Sequence, residues 1–188
     1  MYNFEDIELI INQTKKWINE VVIGCGFCPF ASKVMRDRKV HFRMEDTETL
    51  SICLEAFLQE CERLDKDVSI ETTIIIMPNS FEQFSNYLDF IALVEKLLTK
   101  HHYDGVYQVA SFHPDYCFEG ESPDDASNYT NRSPYPMLHI LRESSITQAV
   151  MQHANADEIP KRNINFAREK GAAYMKMLRD TCLNSDMN

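Results

Sequence analysis

The sequence predicts a single α/β (or α+β) domain over residues 1–188, with a central mixed, partly parallel sheet of about four strands flanked by helices and further helices at the C-terminus. Three observations carry that expectation. Helical and strand-like apolar patterns alternate along the chain, an order that favours parallel neighbours joined by right-handed crossovers. The stretch from Thr72 to Met77 is almost unbroken in apolar and β-branched residues, as a strand covered on both faces should be. The 188 residues are 44% hydrophobic and 26% charged, without repeat, linker or low-complexity tract, which suits one packed core.

Asn3 is placed to cap a first helix, in which Phe4, Ile7, Ile10, Ile11, Trp17, Ile18 and Val21 recur at helical spacing to about Val21. A break from Gly24 to Phe30 and one short helical turn lead to Val40, Phe42 and Met44, which alternate with His41 and Arg43 as a half-buried strand does. Leu50, Leu54, Phe57, Leu58, Cys61 and Leu64 mark one stripe of a second helix beginning near Asp46 or Thr47. Pro78 stops the strand at 72–77. Ser80 is expected to cap a third helix carrying Phe81, Phe84, Leu88, Ile91, Val94 and Leu98, and Gly105 to Phe112 alternates as a third strand. Met137 to Leu141 adds a fourth, short strand. Ser144 or Ser145 opens a short helix, and Pro160 opens one long terminal helix running past Leu178.

Composition removes several function classes. A formal net charge of -10 opposes general nucleic-acid binding, which calls for a basic face. The first residues are acidic, and no apolar run approaches the roughly 18 residues a membrane helix needs, so the expected location is cytoplasmic with no membrane partner. In that compartment the six cysteines are free thiols, with Cys53 and Cys61 acting as small core residues. With five glycines the chain has neither GxGxxG nor GxxxxGK[ST], so no nucleotide cofactor of the usual kind is predicted and the cofactor stays unidentified. Lys33, Arg36, Arg38, Lys39 and Arg43 form a local basic run. It suits either an anionic ligand or a solvated helix end followed by an edge strand.

Chemistry-bearing residues concentrate between Ser111 and Arg142, a long irregular stretch that starts where the third strand ends. Cys28-Pro29-Phe30-Ala31, Ser111-Phe112-His113-Pro114, Asp124-Asp125, the run from Asn128 to Pro136, and Leu138-His139 through Arg142-Glu143 resemble the bacterial family called domain of unknown function 1415. Trp17 and Arg162-Asn163-Ile164 extend the likeness over nearly the whole chain. The resemblance implies no activity; it marks which residues matter. Cys25 and Gly26 depart from the family's pattern, where leucine and asparagine are usual.

His113, whose ordinary pKa lies near neutrality, is the candidate general acid or base, with Asp125 or Asp124 as its carboxylate. Arg132 and Arg142 would clamp an anionic small molecule with their planar forks. Asn128, Asn131 and His139 would add hydrogen bonds, and Tyr135 would wall the pocket. This describes a small-molecule enzyme of hydrolase or transferase type. The same letters suit a non-catalytic binding module for an anion or metabolite, or a loop whose arginines simply pair with its acids. A further reading uses Cys28, at a helix N-terminus, as a nucleophile, as a redox thiol with Cys25, or as a metal ligand. The metal version lacks any zinc-finger or HExxH spacing.

Overall fold

The computed structural model describes residues 2–153 and 155–184. Four strands, β1 (Val40–Met44), β2 (Thr72–Ile76), β3 (Tyr107–Phe112) and β4 (Met137–Arg142), form one sheet in the order β1-β2-β4-β3. β1 and β2 are parallel and joined by α3 (Leu50–Lys66), whereas β4 runs antiparallel to both β2 and β3. The α/β expectation therefore holds with one change in adjacency. β2 and β3, linked by α4 (Phe84–Lys100), share a direction but are separated by the late strand β4. Met137, Leu138 and Ile140 are all fully buried, and a strand apolar on both faces belongs in the interior of a sheet.

Helices cover both faces. Ile75, Leu138, Ile140 and Tyr107 pack against Phe57, Cys61 and Leu64 of α3 and Phe90 and Val94 of α4. On the other face Ile74, Ile76 and Met137 meet α1 (Phe4–Trp17), its π-helical continuation Ile18–Ile23, α6 (Ile159–Lys170) and α7 (Ala172–Thr181). Two short helices, α2 (Ala31–Arg36) and α5 (Glu143–Gln152), contribute no buried residue. They border this second face without filling it.

Helix starts differ from the expected ones because the polar residues in front of them are used elsewhere. Asp46 accepts from Tyr2 N and Asn79 Nδ2, and Ser80 donates its hydroxyl to the Thr47 carbonyl, which ties the loop before α3 to the loop after β2. α3 therefore begins at Leu50 behind Thr49, and α4 at Phe84 rather than at Ser80. Arg43 of the basic run is likewise committed. It donates to Glu45 at 2.8 Å and to the fully buried Glu60 at 3.3 Å, fixing β1 against α3.

The expected single terminal helix is two helices, divided at Gly171 with φ +82 and ψ 154. That combination is essentially closed to residues with a Cβ. Gly171→Ala is expected to cost about 1–3 kcal/mol although open space surrounds the position, because the strain lies in the backbone. A urea unfolding curve unchanged from wild type would contradict this.

Candidate functional site

Most of the residues predicted for the site hold the 113–136 loop in shape. His113 is 1% exposed. Its Nε2 lies 2.8 Å from the Phe81 carbonyl, and its Nδ1 accepts from Asp115 N at 3.0 Å, so both ring nitrogens are occupied. The second bond makes Nδ1 the acceptor and Nε2 the donor. Burial lowers the pKa of the ring, which packs between Phe84 and Tyr87.

Asp125 caps the 3-10 turn Ala126–Thr130 through Ser127 N and is gripped by Arg168 of α6 at 2.9 Å. The guanidinium holds its carboxyl well below the usual range. Asn128, fully buried, donates to the Ser122 carbonyl and accepts from Phe118 N. Asn131 donates to the Ser111 carbonyl, and Tyr135 donates to the Gln13 side chain. Arg132 lies over the Tyr129 ring and donates to the carbonyls of Tyr116 and Pro123 at 2.9 and 2.7 Å. Arg142 donates to the Leu64 and Ile70 carbonyls, closing the C-terminal end of α3. These planar forks are spent on backbone oxygens.

A different space gathers the remaining chemistry. Because α2 and α5 bury nothing, a cavity of about 650 Å³ lies between them and the sheet. A volume of this size falls in the range of small-molecule sites, roughly 300–1,000 Å³. Cys28, His139 and Arg142 line it. Its floor comes from the sheet face that carries Ile74, Phe112 and Met137, and Trp17 and Ile18 close one side.

The tautomer of His139 follows from its neighbour. Thr72 Oγ1 donates to the Ile140 carbonyl and lies 2.7 Å from His139 Nε2. A hydroxyl has one proton, so Nε2 must be the donor of this pair. Nδ1 is left as a lone-pair acceptor with no protein partner among the described residues. The ring's remaining accessible surface opens on the cavity, and burial pushes its pKa down to about 4, so it is neutral near pH 7.

The profile of the family described as "Protein of unknown function (DUF1415)" matches residues 9–177. The chain belongs to this family. Neither the curated proteins nor the solved structures contain a match to it. Cys28, Lys33, Lys39, Thr72, His139 and α5 all fall inside the matched span, so the whole cavity is part of the DUF1415 region.

Charge around the cavity of this DUF1415 chain is sorted. Lys33 and Lys39 line it without an acidic partner among the described residues, while Asp37 accepts from Arg36 at 3.4 Å and Glu71 accepts the Ser145 hydroxyl. Of the two motif cysteines only Cys28 borders the cavity. Cys25 packs with the core, and burial pushes its thiol up, which disfavours a thiolate there. The turn between them is pinned by Arg162, which donates to the Gly26 carbonyl, and by Asn163, which donates to the Phe27 carbonyl at 2.7 Å. Among the described residues no cluster of three or more His, Cys, Asp or Glu side chains could hold a metal. No described helix is long and apolar enough to cross a membrane.

Thr72, α5 and Trp17 were not among the sequence candidates. One signal was available: His139 interrupts an otherwise apolar strand, Met-Leu-His-Ile-Leu, on the same face as Met137. Nothing in the letters showed that α2 and α5 would leave that face open.

Proposed function

We propose that this chain is a small-molecule enzyme of hydrolase or transferase type, working in the cytoplasm, whose site is the cavity bounded by α2, α5 and the sheet. The carrying observation is His139, a neutral imidazole of fixed tautomer with a free Nδ1, in the wall of a cavity that also holds Cys28. The anionic substrate is held by Lys33 and Lys39, since Arg132 and Arg142 are occupied. His113 and Asp125 support the loop.

In this reading Cys28 is the candidate nucleophile: its sulfur bonds to the electrophilic atom of the substrate as the bond to the leaving group breaks, and His139 Nδ1 takes the thiol proton and passes it to that leaving group. With a pKa near 4, His139 is too weak a base for a thiol. Catalysis therefore requires the negative charge of the substrate to raise it. The low value favours a second reading, in which His139 only accepts a hydrogen bond and the protein is a non-catalytic binding module.

Nitrogen-15 NMR of the ring tests the site and separates the readings. The free protein should show the Nε2–H tautomer, and titrating octanoate should move the Nδ1 signal. A rise of the His139 pKa toward neutrality in the bound state supports catalysis; a value unchanged from the free protein supports binding alone. An Nδ1–H tautomer, or a free ring that titrates near 6.5, sinks both.

A further inference from the structure

The cavity is amphipathic. Ile18, Val34, Phe112 and Ile146 give it apolar walls from four separate elements. Lys33 and Lys39 give it one cationic region, at exposed positions within α2 and just before β1. The chain carries a net charge of -10, and the neighbouring basic residues Arg36 and Arg43 each have an acidic partner. Two ammonium groups without one, beside an apolar cavity, favour the approach of an anion against the overall field.

A bare inorganic anion would leave the apolar walls unused, and a neutral oily molecule would leave the lysines unused. Glu71, the remaining acid on the wall besides Asp37, is turned to Ser145. We infer that the molecule taken up is an amphipathic organic acid, its apolar body against these walls and its anionic head beside Lys33 and Lys39. This rests on the cavity being the functional site proposed above.

The chain's single tryptophan, Trp17, lines the cavity and is 2% exposed, so its emission reports directly on occupancy. Three probes are titrated into the full chain at concentrations below their aggregation limits: decanoate, decan-1-ol and inorganic phosphate. Decanoate should change Trp17 emission saturably and bind about tenfold tighter than decan-1-ol, since two ion pairs at an exposed mouth are each worth a small factor. Phosphate should give no response. The Lys33→Ala/Lys39→Ala variant should lose that tenfold for decanoate and keep its affinity for decan-1-ol.

Equal binding of the acid and the alcohol, decanoate affinity unchanged in the double-lysine variant, or a response to phosphate alone overturns this ligand class. The first two of these results leave the cavity standing as a site. An Ala149→Phe variant, which puts an aromatic ring into the cavity, should weaken the Trp17 response. If it does not, or if none of the three probes is seen by Trp17, the cavity reading fails and the ligand class with it.

Discussion

Replacing His113 by alanine is expected to lower stability by about 3–4 kcal/mol, combining the cavity left by a buried ring with two orphaned backbone groups. The ring is 1% exposed and touches Phe84 and Tyr87 at centroid distances of 5.2 Å. Its Nε2–H holds the carbonyl of Phe81, a bulky residue at φ +60, where backbone strain persists only if surrounding contacts impose it. Removing the ring therefore frees the strained turn before α4 and the Asp115 amide together. Urea unfolding monitored by circular dichroism measures the loss. If His113 were instead a catalytic residue free of structural duty, the variant would unfold at the wild-type midpoint.

Acid is expected to destabilise the fold through His139 in a window set by its two pKa values. In the folded protein burial holds the ring near 4, against 6.5 for the unperturbed group. Between those values the unfolded chain binds a proton that the folded one refuses, so stability rises with pH across the window. The contribution is fully present above about 6.5 and is lost progressively as pH falls to about 4. The gap corresponds to about 3 kcal/mol, reduced toward about 2 kcal/mol by the ring's access to the cavity. Burial lowers His113 as well, so wild type loses stability through both rings. The measurement is the difference between wild type and His139→Gln in urea unfolding above pH 7 and near pH 4.5. The variant should show a shallower pH dependence. Parallel curves for the two proteins would rule His139 out as the source. Asp125 acts separately and at lower pH, because its folded pKa is depressed and its contribution disappears only under more acid conditions.

The fold was legible where a single local rule decided the outcome. Alternation in Val40–Met44 gave a strand with the expected bounds, and the β-branched run expected at 72–77 gave one that ends a residue earlier, at Ile76. Cys53 and Cys61, expected in the core, are both 0% exposed. The terminal helix was read as continuous because its apolar spacing continues past Gly171, and spacing does not report the positive φ that divides it. In the same way Ser80 reads as a helix cap until its hydroxyl is seen on the Thr47 carbonyl, thirty-three positions away in sequence.

The candidate site was legible only as a set of residue types. The sequence by itself determined the α/β class, the strands and most helices, and the abundance of His, Asp, Asn and Arg in the Ser111–Arg142 segment. It named Cys28 and His139 without showing that they border one space. Tertiary structure decided which polar groups are spent and which are free. Arginine and asparagine bind a ligand or a buried carbonyl with the same atoms, and the choice depends on whether a long loop must satisfy its own backbone. Here Arg132, Asn128 and His113 meet that need, while His139 keeps Nδ1 free because Thr72 takes only its other nitrogen.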